Sequence, residues 1–110
     1  MDKSIAKIEE AVLKAFGDVL KRAEMFADHR IFREPLSVRE RMSAILNKAS
    51  RAEFKEFQNF FDVSEGRSGV VVTMVAILEL LKESLVEIVQ NGERDPVYVR
   101  LAKSDEMRSS

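Results

Sequence analysis

The chain has 110 residues, enough for one small domain with a single hydrophobic core and an appended element. With 18 basic against 19 acidic residues the net charge is −1, which excludes a chain-wide basic footprint for nucleic acid and any strongly acidic tail. The absence of cysteine removes disulfides, thiolate metal sites and cysteine nucleophiles together, and fits a reducing compartment.

The longest apolar run, Met74 to Leu78, falls far short of the roughly 20 residues that a membrane-spanning helix needs. Met1-Asp2-Lys3-Ser4 leads into an amphipathic rather than a signal-like stretch, so a soluble intracellular protein, or a piece of one, is expected. From Ile5 to Phe26, apolar residues recur at Ile5, Ile8, Val12, Phe16, Val19, Ala23 and Phe26, steps of three and four that mark one helix face. Asp2 or Ser4 can cap this helix, and Glu10 with Lys14 and Asp18 with Arg22 are favourable pairs four apart. Gly17 weakens it by about 1 kcal/mol relative to Ala. So regular a stripe needs a surface to lie on: the domain that follows or, alternatively, a partner chain or a second copy meeting residues 5–26.

Pro35 disfavours helical geometry at Glu34, so Ile31 to Leu36 is an extended joint. The chain therefore divides into an N-terminal helix (1–30), a domain (31–102) and a polar, aperiodic tail (103–110) expected to be disordered. Ser37-Val38-Arg39-Glu40 is a capping box that opens a helix with the stripe Val38, Met42, Ile45, Leu46 and Ala49. A second box-like sequence, Ser50-Arg51-Ala52-Glu53, predicts a short helix carrying Phe54, Phe57, Phe60 and Phe61 into a core corner. An aromatic platform for nucleobases would need exposed rings interleaved with basic residues, and only Lys55 lies among them.

Asp62 to Gly66 is a turn, after which a strongly apolar helix runs to about Ser84. Val71, Met74, Val75, Leu78, Leu81 and Leu85 are its expected core stripe, and Val72, Ala76 and Leu80 then fall off that stripe. Two period-two runs, Val86 to Gln90 and Val97 to Leu101, joined by six residues from Asn91 to Pro96, predict a hairpin with Tyr98 and Arg100 opposite Val97, Val99 and Leu101. The order is that of a winged helix: mostly α, with a small β-hairpin, preceded by a long amphipathic helix. A DNA-reading helix presents Arg, Lys, Asn or Gln to bases and phosphates, yet between Gly66 and Leu85 the basic residues are Arg67 and Lys82 alone.

Chemistry is hard to place. His29 beside Asp28 is not a catalytic dyad, because adjacent helical residues do not face each other. Gly66-Arg67-Ser68-Gly69 lacks the spacing and the Gly-Lys-Ser/Thr ending of a phosphate loop. No catalytic, cofactor or metal residue is expected. The best nucleic-acid cluster, Arg33, Arg39, Arg41, Lys48, Arg51 and Lys55, is diluted by four glutamates to a net +2, and the wing tip Glu93-Arg94-Asp95 nets −1.

Taken in order, Arg33-Glu34-Pro35-Leu36-Ser37-Val38-Arg39-Glu40-Arg41-Met42, the run from Val70 to Leu80, and Val89-Gln90-Asn91 with Val97-Tyr98-Val99-Arg100 resemble the C-terminal winged helix of the segregation and condensation protein A (ScpA) family, the bacterial kleisins. Phe16 to Phe26 is similar to the segment that enters this domain. The resemblance implies a non-enzymatic, nucleoid-associated cytoplasmic subunit of the chromosome-condensing SMC complex. In that family this domain docks on the SMC ATPase head, a separate helical domain grips the other SMC neck, and the middle region binds ScpB dimers. The chain holds no neck-binding domain and little of the middle, so a fragment or a truncated relative is expected, meeting DNA only through the complex and no membrane. Docking is then expected to use Val72, Thr73, Ala76 and Leu80 together with Tyr98. The alternative is a small winged-helix DNA-binding transcriptional regulator that dimerises through its first helix.

Overall fold

The structure, a computed structural model, describes residues 2–26, 37–50, 52–92 and 94–102, with side chains from residue 8 onward and not that of Phe26. The expected joint (31–36), the Asp28–His29 pair, Arg33, Arg51, Glu93 and the tail (103–110) lie outside the described residues, as do the side chains of Asp2, Ser4 and Ile5.

Helix α1 spans Asp2–Phe26. Its periodic stripe faces inward as the spacing requires: Val12, Val19 and Ala23 are buried, and Ile8 and Phe16 pack partly against the core. Val19 and Ala23 close over Val70, with Phe61 and Val63 at the margin. The described part of the stripe, Ile8 to Ala23, therefore packs within the chain. Full burial of an aliphatic side chain contributes about 1.5–3 kcal/mol before entropy, so these positions dominate the docking. The polar links are lighter: Arg22 Nη1 donates to Gln58 Oε1 at 3.2 Å, and Arg67 Nη1 to Glu24 Oε2 at 2.9 Å, both in solvent.

Helix α2 (Val38–Lys48) starts where the capping box places it, with the Ser37 hydroxyl accepting from the Glu40 N–H at 3.2 Å. Ile45 and Ala49 are buried and Val38, Met42 and Leu46 half-buried, as their spacing predicts.

The second box does not open an α-helix. Ser50 Oγ accepts from the N–H groups of Ala52 and Glu53 at 3.1 and 3.3 Å, but the chain then runs into strand β1 (Lys55–Glu56) and a 3-10 turn (Phe57–Phe60). The C-terminal hairpin competes successfully for this backbone. Lys55 and Glu56 pair with Val99 and Tyr98, the Phe57 N–H donates to the Val97 carbonyl at 2.8 Å, and the Leu101 N–H donates to the Ser50 carbonyl at 3.0 Å. Phe57 and Phe60 are buried and Phe61 half-buried, whereas Phe54, on the strand's other face, is exposed. The corner is thus three rings, with Phe61 meeting Phe57 edge-on at 5.0 Å and Phe16 of α1 at 6.0 Å.

A second 3-10 turn (Val63–Glu65) leads into helix α3 (Gly66–Lys82), through Gly66 at φ 79°. One Arg41 nitrogen, Nη1, reaches both Glu65 carboxylate oxygens at 2.9 and 3.0 Å and ties α2 to the start of α3. Gly69 leaves room for this: a Cβ there would overlap the Glu65 side chain. Helix α3 ends in a Schellman-type stop, with Ser84 at φ 63° and the Leu85 N–H returning to the Leu80 carbonyl at 2.9 Å.

Strands β2 (Val86–Val89) and β3 (Tyr98–Leu101) form the expected hairpin in the register Val86↔Leu101 to Val89↔Tyr98, and the sheet order is β1-β3-β2. Val86, Val97 and Val99 face the core, where Phe57, Ile77 and Leu80 are fully buried, while Tyr98 and Arg100 lie on the outer face.

Candidate functional site

Helix α3 is apolar around most of its circumference, so its neighbours decide which residues are covered. Val70 clusters with Val19 and Ala23 of α1, and Ile77 and Leu80 lie in one core with Ile45 of α2, Phe57 and the hairpin valines. Thr73 is buried too, its hydroxyl satisfied by the Gly69 carbonyl one turn back at 2.8 Å. What remains outside is a row spaced by four and three: Val71, Val75 and Leu78, at 38, 40 and 49% exposure.

This corrects the facial assignment made from sequence. Thr73, Ala76 and Leu80, expected on a free surface, are fully buried, and Val71, Val75 and Leu78, expected in the core, are the exposed ones. Val72 is half-buried at the margin. The error has a physical origin: a run of valines and leucines has little amphipathic phase of its own. A usable signal was nevertheless present. Ser68, Glu79 and Lys82 fall on the same side as Val71, Val75 and Leu78 at helical spacing, and polar residues mark the face that meets water.

Two grooves flank this exposed row. Between α2 and α3 lie Val38, Met42, Leu46, Val75 and Leu85, rimmed by Arg39, Glu79 and Glu83. Between α1, α3 and β2 lie Ile8, Leu13, Leu78 and Leu81, rimmed by Glu9 and Glu87. Leu13 is 66% exposed, so the apolar surface continues from α3 onto α1. Monomeric domains rarely leave such contiguous patches open without a use for them.

Tyr98 does not join this surface. Its side chain lies on the outer sheet face, where its ring sits 6.2 Å from that of Phe54. There the Arg100 guanidinium stacks 4.7 Å above the Phe54 ring, and its Nε lies 3.2 Å from Glu87 Oε2, an ion pair without hydrogen-bond alignment. Helix α3 occupies the other face of the sheet, so the expected five-residue site splits into a buried trio, a marginal valine and a tyrosine across the sheet.

Several basic side chains already have partners. Arg41 holds Glu65; Arg67 holds Glu24; Lys48 Nζ donates to the Asn59 carbonyl and lies 5.5 Å from the centre of the Phe60 ring. A groove-reading surface needs such cations turned toward phosphates. Among the described residues no group of His, Cys, Asp and Glu is placed to hold a metal ion, and no helix is long and apolar enough to cross a membrane.

The family model for segregation and condensation protein ScpA matches residues 1–102. The chain is 52% identical over 89 residues to segregation and condensation protein A of Coxiella burnetii, covering 81% of this chain and 34% of that protein. It is 49% identical over 89 residues to segregation and condensation protein A of Xylella fastidiosa (strain 9a5c), covering 81% and 30%. With the Bacillus licheniformis protein of the same name it shares 35% identity over 92 residues, covering 80% and 36%. The chain thus spans about a third of the length of these curated relatives.

Proposed function

From the premise that the chain belongs to the segregation and condensation protein A family, we propose that it is a kleisin's winged-helix domain, which docks on the ATPase head of an SMC protein during chromosome segregation and condensation. The order helix, strand, helical turn, helix and hairpin supports the winged-helix reading, with α3 in the place of a DNA-reading helix. The observation that carries the docking reading is the exposed row Val71, Val75 and Leu78, where a DNA reader presents polar and basic side chains. Val72 flanks that row, and Thr73, Ala76 and Leu80 support it from beneath. The role is that of a non-catalytic bridge, and DNA is reached through the complex.

The test is co-elution of this chain with the isolated SMC head of its own organism in size-exclusion chromatography, with duplex DNA as the parallel ligand at physiological salt. Co-elution with the head and none with DNA is expected. Val75→Glu places a charge in the row and is expected to abolish co-elution while leaving the melting temperature within a few degrees of wild type, since Val75 is outside the core. Binding to DNA but not to the head overturns the reading.

A further inference from the structure

We propose that the free edge of β2 takes up one extended segment of a partner protein, with apolar residues at alternate positions and lysine or arginine between them. The inference deepens the docking reading above and rests on it only for the identity of the first probe.

The backbone supplies the first argument. Among the described residues the sheet order is β1-β3-β2, and strand β2 has a neighbour on one side only. The Ala102 N–H donates to the Leu85 carbonyl at 3.0 Å, which makes that pair a hydrogen-bonded one. Such pairs alternate along an antiparallel ladder. Glu87↔Arg100 and Val89↔Tyr98 are therefore bonded, whereas Val86 and Ile88 turn their N–H and C=O away from β3. The phase agrees on the far side of β3, where the Leu101 N–H and the Val97 carbonyl bond toward β1 and its flanks. A strand edge that offers alternate donors and acceptors in this way is a template for strand addition.

The surroundings supply the second. A groove of about 620 Å³ runs beside β2 and touches Val86, Glu87 and Ile88 in succession. Consecutive strand residues point to opposite faces, so a groove that meets all three lies along the edge rather than on one face. Its other walls are Ile8 and Leu13 of α1 and Leu78 and Leu81 of α3, which suit apolar side chains at alternate positions of an incoming strand. The charged residues of the lining, Glu9 and Glu87, are both acidic, and Glu87 is shared with Arg100 on the outer face. That rim favours basic residues in the incoming segment. It disfavours a second copy of β2, which would bring its own Glu87 to the same edge. A docked helix would satisfy its backbone internally and leave the outward groups of Val86 and Ile88 unanswered.

The experiment is residue-resolved amide exchange of the whole chain, alone and with two separate probes: the SMC ATPase head, and the synthetic peptide Lys-Ile-Lys-Val-Lys-Ile against a Glu-Ile-Glu-Val-Glu-Ile control. Slowing of the Ile88 amide by about tenfold or more with the head is expected, as is a concentration-dependent shift of the same amide with the basic peptide alone. Ile88→Pro removes a donor that faces outward, not toward β3, and is expected to weaken head binding about tenfold with the β2–β3 amides still protected. Should that variant unfold, Glu9→Lys, at an exposed rim position, is expected to weaken binding of the basic peptide and to improve that of the acidic one.

If the head protects α3 but leaves Ile88 exchanging freely, the strand-addition proposal fails and the docking reading stands. If the head does not bind and the basic peptide still shifts Ile88, the proposal stands and the docking reading fails. Protection that grows with the chain's own concentration makes a second copy the occupant and overturns the proposal, as does silence of Ile88 toward both probes.

Discussion

Helices α1 and α3 use apolar residues in opposite ways. Along α1 the buried positions Val12, Val19 and Ala23 form one narrow line, and the opposite side is charged. Helix α3 buries Val70, Thr73, Met74, Ala76, Ile77 and Leu80 around most of its girth, and its remaining strip still shows Val71, Val75 and Leu78. The first helix is held to the domain by that line, with Leu13 left exposed beside it. The second has already supplied the core, so its outer valines and leucine contribute little to folding; a use outside the fold explains them better.

The largest expected effect tests whether α1 is an integral part of the domain. Val19→Asp places a carboxylate at a fully buried position beside Val70 and Ala23. An unpaired buried charge costs several kcal/mol, a large share of the roughly 5–15 kcal/mol that holds a domain together. The variant is expected to lose its cooperative thermal transition near physiological temperature. Leu13→Asp on the same helix, at a position 66% exposed, is expected to leave stability within about 0.5 kcal/mol. Equal tolerance of both would mean that α1 does not dock as described.

A smaller contrast separates the two sides of α3. Leu80→Ala empties a fully buried site and is expected to cost about 2–5 kcal/mol in denaturant unfolding. Leu78→Ala, from a half-exposed site, is expected to cost under about 1 kcal/mol while weakening binding to the SMC head. The reverse ranking would restore Leu80 to the surface and withdraw the exposed row.

These contrasts also show what could be read from the sequence. The α1 stripe, the Ser37 cap, the hairpin and its register follow from local pattern, because each is fixed by spacing or by one side chain meeting its own backbone. Strand β1 does not. Ser50 makes the hydrogen bonds of a cap, and only the edge of β3, more than forty residues away in sequence, turns Lys55–Glu56 into a strand. The α3 face failed for a related reason, since eleven apolar residues among the sixteen from Val70 to Leu85 leave the choice of buried side to neighbours. Ser68, Glu79 and Lys82 carried the answer, and weighting the rare polar residues above the abundant apolar ones would have recovered it. Tyr98 was placed on the correct side of its strand, but strand alternation alone does not tell which helix lies across the sheet.

The smallest effect concerns how the two helices are pinned by charge. Arg41–Glu65 ties α2 to the start of α3 with both side chains 21% exposed, and Arg67–Glu24 ties α3 to α1 with side chains 65 and 52% exposed, each pair at 2.9 Å. Equal distance does not make equal strength, because water screens the second pair from both sides and two long side chains lose freedom to hold it. Double-mutant cycles on thermal or denaturant stability are expected to give a coupling of about 1–2 kcal/mol for the partly buried pair and under about 0.5 kcal/mol for the exposed one. Raising the salt concentration to about 1 M, where the screening length falls to about 3 Å, is expected to remove most of the second coupling and little of the first. If instead Arg67–Glu24 proves the stronger and survives salt, α1 is held by a charge latch as well as by its apolar stripe, and the contrast between the helices narrows from the α1 side.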